Sequence, residues 1–268
     1  MKYIKLVIEF DGTNYQGWQT QKSGITVQDC MGRAISGITG ESIKINSASR
    51  TDAGVHALGQ VAVFRTDSKL PADTLKRALN ARLPSDIRIL DAEALDYEFH
   101  PRYEAVKKSY FYLIEKTHKQ SVFFHSYTWR VPVSLDFFSM KKASELLQGK
   151  RDFSAFRGTG CGARTTVRTI HSITLSRHDY IDFMTARIQG DFIKIRMEAN
   201  AFLRHMVRNI VGTLAEVGKG RIAPETVTDI LASCDRKMAG PTAPAKGLFL
   251  EKVFYPDRAS DKFGNNPY

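Results

Sequence analysis

The sequence has few cysteines and no long apolar run. Its three cysteines, Cys30, Cys161 and Cys234, are odd in number and widely spaced, which fits neither a disulfide framework nor a Cys-x-x-Cys metal pair. No stretch approaches the roughly 18 consecutive apolar residues of a membrane span, and the first residues alternate instead of forming a basic and then an apolar region. We therefore expect reduced thiols, no membrane association, no signal peptide and a cytoplasmic location.

Acidic residues are scarce relative to basic ones. The chain has 39 lysines and arginines against 28 aspartates and glutamates, a formal net charge of +11. Residues 101–200 hold most of the excess, with 17 basic and 9 acidic side chains. Such an excess favours a polyanionic partner over a neutral metabolite. Many soluble proteins are basic, however, so the charge alone names no partner.

Motifs for metal chemistry are missing as well. The seven histidines are scattered, without the His-Glu-x-x-His type of spacing that places two ligands on one helix face. A two-metal nuclease or phosphotransferase would normally show clustered carboxylates, and the sequence has no such cluster. We therefore expect no metal site.

Apolar residues alternate between strand and helix spacing along the chain. The first strand carries four of them on one side: Ile4, Leu6, Ile8 and Phe10. A capping box formed by Thr26 and Asp29 begins a helix that ends at Gly40. Further strands are predicted at 43–48, 57–64, 107–115, 170–177, 180–189, 192–199 and 248–255, and further helices at 73–81, 136–148, 203–218 and 224–233.

This order predicts two α+β halves of related layout, residues 1–104 and 105–268. Consecutive strands are close enough to pair antiparallel, with helices covering one face of the sheet and the other face open for a ligand. The polar residues 256–268 are expected to form a mobile tail.

The turn at residues 50–56, RTDAGVH, carries the most chemical information. It places Asp52 between Arg50 and a small, flexible Ala-Gly pair, so the carboxylate should project from a tight loop that another backbone can approach. On spacing alone the more common explanation is an Asx turn, in which Asp52 only caps backbone N–H groups. Arg50 could equally be a solvated charge.

Two other stretches mix cations with apolar or aromatic residues. Residues 107–112 interleave Lys107 and Lys108 with Tyr110, a combination that can hold a phosphate backbone and stack a base; a core strand with snorkelling lysines explains it as well. In residues 202–212, Arg208 lies inside a buried helical stripe, where it needs a carboxylate or phosphate partner. The alternative is an arginine at the stripe's margin with its head group in water.

A third basic segment spans residues 150–168. Its cations are Lys150, Arg151, Arg157, Arg164 and Arg168, against the single acid Asp152. Glycines at positions 158, 160 and 162 indicate a flexible loop. We expect Arg157, Arg164 and Arg168 to contact the phosphates of a polyanionic partner, with a solvated connection as the alternative.

Six ordered motifs between residues 9 and 248 resemble the tRNA pseudouridine synthase A (TruA) family. They are EFDGT with Tyr15 and GWQ (9–19), TVQ (26–28), SRTDAGVHA (49–57), DFSAF (152–156), FLRHMVRNIVG (202–212) and APAKGL (243–248). The sequence departs from the family at Ser49, where glycine is expected, and at Ser109 and Phe111, where arginines often flank the tyrosine.

The resemblance implies roles for individual residues. Asp52 is similar to the family's catalytic aspartate, Tyr110 to the tyrosine that stacks on the target base, and Arg208 to the arginine that pairs with the aspartate. Arg50 resembles the basic residue that helps to flip the target nucleotide out. The implied reaction is the isomerisation of uridine to pseudouridine at positions 38 to 40 of the tRNA anticodon stem and loop.

The resemblance also implies the architecture: two ferredoxin-like halves that form a mixed, mainly antiparallel sheet with helices on one face and a basic cleft between the halves. Members are homodimers and need neither a metal nor an organic cofactor. A non-catalytic RNA-binding module is the alternative function. Asp52 argues against it, because a passive binder has no use for an acid in an anionic groove.

Overall fold

The computed structural model describes residues 1–183 and 185–256, which alternate strands with helices. These ranges contain ten strands and five helices. The predicted fold class, α+β with a mainly antiparallel sheet, is confirmed. Apart from Pro256, the predicted mobile tail lies outside the described residues.

The elements are numbered in chain order. The strands are β1 (Lys2–Phe10), β2 (Ile45–Ser47), β3 (His56–Thr66), β4 (Ile87–Leu95), β5 (Lys107–Lys116), β6 (Trp129–Val131), β7 (Gly149–Asp152), β8 (Val167–Phe183), β9 (Ala186–Ala199) and β10 (Leu248–Phe254). The helices are α1 (Val27–Thr39), α2 (Ala72–Arg82), α3 (Phe137–Leu146), α4 (Met206–Gly218) and α5 (Thr226–Ser233). Short 3-10 turns occur at Ser154–Phe156 and Ala245–Gly247.

All ten strands belong to one sheet. Its order is β4-β1-β3-β10-β5-β9-β8-β7, with β2 beside β3 and β6 beside β5. Neighbours are antiparallel except at β3·β10 and β5·β6. In the parallel pair β3·β10, His56 lies opposite Phe249 and Ala57 lies opposite Leu250. Strands from the first 104 residues therefore meet the others at β10, which lies between β3 and β5.

Local sequence explains several element ends. The capping box at the start of α1 is present, with Thr26 Oγ1 accepting from Asp29 N at 3.2 Å and Asp29 Oδ2 accepting from Thr26 N at 3.2 Å. The same helix ends at Gly40, whose φ of 72° is the left-handed conformation that glycine adopts without steric cost.

The region of residues 170–199 differs from the prediction. It forms two long strands, β8 and β9, in place of three, and the chain reverses between Phe183 and Ala186. The register shifts between His178 and Tyr180, where Gly190 and Asp191 of β9 lie opposite the single residue Asp179 of β8. The extra residue forms a bulge in β9, and the pair His178-Asp179 continues β8 instead of making a turn. Neither glycine nor proline marks the true reversal, which explains the error.

The prediction of one flexible loop from residue 150 to residue 168 is wrong at both ends. Strand β7 pairs with the start of β8, and Arg151 lies directly opposite Arg168. The irregular loop is therefore confined to residues 157–166, after the 3-10 turn and before β8. Strand β4, which the apolar pattern did not predict, covers the outer edge of β1.

Candidate active site

Asp52 lies in the loop between β2 and β3. The loop is held against the segment after β1, since Trp18 N donates to Thr51 O at 3.1 Å. Gly17, with φ of 86°, permits this contact because a Cβ built there would lie 2.4 Å from Thr51 O. Two motifs that are distant in sequence thereby form one backbone platform under Asp52.

The Asp52 carboxylate forms an ion pair with Arg208. Arg208 Nη1 donates to Asp52 Oδ2 at 3.1 Å, and the Arg208 Nε donates to Ala243 O at 2.7 Å. Among the described residues no backbone N–H donates to this carboxylate, so Asp52 is not an Asx cap. Arg208 therefore has a carboxylate partner of the kind that its place in the buried stripe requires, and it uses only one nitrogen for that contact.

His205 also faces Asp52, a position that no pattern in the sequence predicted. Its Nε2 lies 3.5 Å from Asp52 Oδ1. Burial lowers the pKa of His205, and the positive charges of Arg208 and Arg204 lower it further, whereas Asp52 raises it. The signal that could have found it is its position three residues before Arg208 in the FLRHMVRNIVG motif.

Tyr110 lies on β5 beneath the Asp52 loop. Its ring meets Phe202 edge to face, with centroids 5.1 Å apart, and only 7% of the residue is exposed. Burial raises the pKa of Tyr110 to about 12; the charge of Asp52 raises it as well, and a hydrogen bond with the Ser49 side chain opposes the shift. The phenol is therefore protonated at neutral pH and lies within electrostatic reach of Asp52.

Comparison with known proteins identifies the family. Residues 6–104 and 143–256 match the family described as tRNA pseudouridine synthase. The chain belongs to this family. Every residue of the Asp52 site described above lies within these matched ranges or, like Tyr110, between them.

Individual relatives cover almost the whole chain. The tRNA pseudouridine synthase A of Acetivibrio thermocellus is 48% identical over 95% of this chain and 100% of the relative. Those of Thermoanaerobacter pseudethanolicus and Thermodesulfovibrio yellowstonii are 45% and 43% identical with the same coverage. Among solved structures, a chain of a Cbf5-Nop10-Gar1 complex overlaps 94% of this chain and 50% of its own length, with 13% identity and a TM-score of 0.34, which is too weak a likeness to carry an argument.

The two lysines of this synthase's β5 point to opposite faces of the sheet. Lys107 pairs with Glu198 at 2.7 Å, on the face of the sheet opposite to Tyr110 and the Asp52 loop. Lys108 shares the face of Tyr110, but it is buried and its Nζ donates to Ala48 O. Burial lowers the pKa of Lys108 to about 8, and the charge of Arg102 contributes to the shift. Lys108 therefore supports the strand that leads into the Asp52 loop.

The arginines predicted to contact RNA occupy different environments. Arg50, Arg157 and Arg164 are exposed, the first in the Asp52 loop and the others in the loop before β8. Arg168 is half-buried: its Nη1 donates to Thr165 Oγ1 at 3.2 Å and to Val167 O at 2.6 Å. Its Nε is buried without a hydrogen-bond partner in the described part of the chain.

His56 braces the Asp52 loop from behind. Its ring is buried, Nδ1 accepts from Gly12 N at 3.1 Å, and Nε2 lies 3.0 Å from Ser126 O and 3.2 Å from Lys246 O. Three segments far apart in sequence thus converge on the first residue of β3. In residues 1–183 and 185–256, no group of three or more His, Cys, Asp or Glu side chains could hold a metal, and no helix is long and apolar enough to cross a bilayer.

Proposed function

We propose that this chain isomerises uridine to pseudouridine in tRNA, at positions 38 to 40 of the anticodon stem and loop, with Asp52 as the catalytic carboxylate. The observation that carries the proposal is the ion pair between Asp52 and Arg208 in a member of the tRNA pseudouridine synthase family. Asp52 is 24% exposed at its side chain, so the carboxylate is accessible to a nucleotide while its partner holds it in place.

The reaction needs a carboxylate at the ribose. The N1–C1' bond breaks, the uracil turns, a C5–C1' bond forms, and C5 loses a proton while N1 gains one, so nothing is added or lost. Asp52 either attacks C1' as a nucleophile or removes the C2' proton to give a glycal. Arg208 pairs with the carboxylate, and the second hydrogen bond of its guanidinium, to the Ala243 carbonyl, fixes the direction of that contact.

The target nucleotide must first leave its stack. Extruding a base costs a few kcal/mol, which contacts elsewhere in the RNA must offset. Arg50 is exposed two residues before Asp52, where a guanidinium can occupy the space that the flipped nucleotide vacates. We propose that Tyr110, below the same loop, then stacks on the detached uracil through the face of its ring.

The distribution of positive charge supports a path for the RNA backbone. Ile170 on β8 pairs with Ala199 on β9, which in turn pairs with Lys108 on β5. These residues share one face of the sheet with Tyr110. Arg168 is two residues before Ile170 and therefore lies on the same face. Arg168 is directly opposite Arg151, and like charges in that arrangement repel. A phosphate between them would relieve the repulsion and supply an acceptor for the unpartnered Arg168 Nε. We propose that Arg157 and Arg164, in the loop that joins β7 to β8, contact further phosphates.

The resemblance further leads us to propose a cytoplasmic homodimer that needs neither a metal nor an organic cofactor. Light scattering on the purified protein tests the dimer, and a monomer at concentrations that support full activity would overturn it. Treatment with EDTA should leave turnover unchanged once the magnesium that tRNA itself needs has been restored.

The decisive test is the Asp52→Asn variant. This change removes the charge and keeps the shape, so we expect pseudouridine formation on tRNA transcripts to stop while tRNA affinity stays within a few fold. Pseudouridine mapping of tRNA from cells with and without the gene identifies the positions that are modified. Residual turnover above about one per cent of wild type would assign the chemistry to another group, because losing an essential nucleophile costs several kcal/mol of barrier. Binding without any turnover by the wild type would favour the non-catalytic RNA-binding module.

A further inference from the structure

His205 has a backbone conformation that residues with a side chain rarely adopt. Its φ is 60° and its ψ is 0°, and within the described ranges Cys234 is the only other non-glycine residue with positive φ. Such conformations are disfavoured for residues with a Cβ and persist where the surrounding structure holds them. His205 occupies the cap position of α4, yet its side chain makes no capping hydrogen bond. The backbone carbonyl of His205 accepts from Asn209 N at 2.9 Å, so the residue serves the helix start through its backbone and leaves its side chain free for another contact.

Contacts on the side of the imidazole that faces away from Asp52 direct the ring of His205 towards the carboxylate. The ring rests against Gly158, where a Cβ would lie 2.7 Å from Nδ1 and 2.8 Å from Cγ of the histidine. Gly158 is itself anchored, because its N–H donates to Arg204 O at 2.8 Å. Only glycine leaves room for the ring at this position, and the far nitrogen, Nε2, faces the carboxylate.

The two oxygens of Asp52 consequently have different neighbours. Arg208 Nη1 holds Oδ2 at 3.1 Å, and His205 Nε2 lies 3.5 Å from Oδ1. His205 is at the cap of α4, and Arg208 is three residues later in the first turn. The start of one helix thus places an imidazole nitrogen near one oxygen of the carboxylate and a guanidinium nitrogen on the other.

Four charged side chains surround the imidazole: Asp52 from the loop before β3, Arg208 from α4, Arg204 from the preceding turn, and Arg236 from the segment after α5. Burial and the three arginines lower the pKa of His205, and Asp52 only partly compensates. The ring is therefore neutral at neutral pH, and it can donate one N–H to Asp52 without adding a second positive charge.

We propose that His205 is a positioning residue that orients the Asp52 carboxylate for attack on the ribose. Its Nε2–H steadies Oδ1 while Arg208 holds Oδ2, so the plane of the carboxylate is set before RNA binds. The inference rests on the proposed role of Asp52. In acid the imidazolium pairs with Oδ1 and withdraws that oxygen from the reaction, so the acid limb of the pH–rate profile belongs to His205.

The experiment compares single-turnover pseudouridine formation by wild type, His205→Gly and His205→Asn across the acid and neutral pH range. Glycine accepts positive φ and removes the ring, whereas asparagine tolerates positive φ and keeps an N–H donor. We expect His205→Gly to lose about ten- to a hundredfold in rate, as misplacement of a catalytic group by an ångström can do, with unchanged tRNA affinity. His205→Asn should lose less. The acid limb should move to lower pH in both variants, and added imidazole should restore part of the rate of His205→Gly.

Cys234→Gly is the matched control, because Cys234, at the end of α5, is the other described non-glycine residue in the left-handed conformation. This variant should leave the rate and the pH profile unchanged. The proposal is overturned if His205→Gly has the wild-type rate. It is also overturned if His205→Gly is slow but added imidazole does not restore its rate and the acid limb of its pH–rate profile has not moved. If the wild type forms no pseudouridine, or Asp52→Asn keeps its rate, the proposed function itself has failed.

Discussion

At the scale of single residues, the geometry of the Asp52 site depends on Arg208, whose guanidinium binds two oxygen atoms at once. Arg208 contacts the carboxylate through Nη1 and the Ala243 carbonyl through Nε. The guanidinium is planar, so the second contact sets the direction of the first. Its side chain is 16% exposed, and removing either partner would strand a charge that water only partly reaches.

Arg208→Lys keeps the charge and tests this geometry. A lysine ammonium cannot reach Asp52 Oδ2 and the Ala243 carbonyl together, so we expect at least about a tenfold loss of the single-turnover rate. Arg221→Lys, at an exposed arginine beyond the end of α4, should have the wild-type rate. Normal turnover by Arg208→Lys would show that orientation by the guanidinium does not matter.

Tyr110 tests whether a ring or a hydroxyl is needed. Tyr110→Phe keeps the stacking surface and should bind tRNA nearly as the wild type does, while Tyr110→Ala should weaken both binding and turnover. Tyr112→Phe is the matched control, because it deletes a buried hydroxyl from the same strand, one that donates to Pro244 O at 2.7 Å. We expect Tyr112→Phe to lower the free energy of unfolding by about 1 kcal/mol and to leave turnover unchanged.

The outcomes for Tyr110 separate three roles. A phenylalanine variant that binds RNA without turnover would indicate proton transfer through the hydroxyl. A fully active alanine variant would leave Tyr110 as a core residue, which its low exposure and its contact with Phe202 also allow. Dissociation constants and single-turnover rates measured on one tRNA transcript distinguish these cases.

At the scale of elements, strands β7 and β8 and the loop between them form the basic edge of the sheet. Strand pairing places Arg151 directly opposite Arg168 at this edge. Arg157 and Arg164 are exposed in the loop between the two strands. The proposed phosphate contacts would make these four arginines one path for an RNA backbone.

Replacing Arg157, Arg164 and Arg168 together with Gln should weaken tRNA binding. The slope of log K against log salt should flatten by about two units, at roughly 0.7 to 0.9 per lost phosphate contact. Turnover at saturating tRNA should change far less, because these groups position the RNA and take no part in the isomerisation.

The control for this prediction is a triple variant with the same change in net charge. Arg65, Arg77 and Arg221 are exposed and lie on β3, on α2 and after α4; their replacement with Gln should leave most of the slope intact. An equal flattening in both variants would mean that overall charge, and not the β7–β8 edge, determines the salt dependence.

At the scale of the whole molecule, one buried lysine links the two groups of strands. Lys108 on β5 donates to the carbonyl of Ala48 at the end of β2, 60 residues away. Burial lowers its pKa to about 8 from an ordinary value of 10.5. The unfolded chain therefore holds this proton more tightly than the folded chain does, and the free energy of unfolding rises with pH between these two values.

Chemical denaturation across that pH window tests the linkage. Lys108→Met removes the titrating group, so the contribution that rises with pH should disappear. Lys141→Met, at an exposed position on α3, should retain the wild-type pH dependence. Equal pH dependence in Lys108→Met and wild type would contradict the burial argument.

Short-range patterns in the sequence determined much of this protein. Alternation and capping place β1, α1 and β5 within a few residues of their observed limits, because they depend on side chains near one another in the chain. The six motifs identify the family. The division into residues 1–104 and 105–268 stays a prediction, since one sheet runs continuously from β4 to β7.

Only the tertiary structure decided which groups meet. Asp52 and Arg208 are 156 positions apart, and the stripe that buries Arg208 predicts an acidic partner without saying which acid it is. The left-handed turn at His205 and the burial of Lys108 follow from packing against Gly158 and the β2–β3 loop. No local pattern encodes these contacts, because the free energy that maintains them comes from segments that the fold alone brings together.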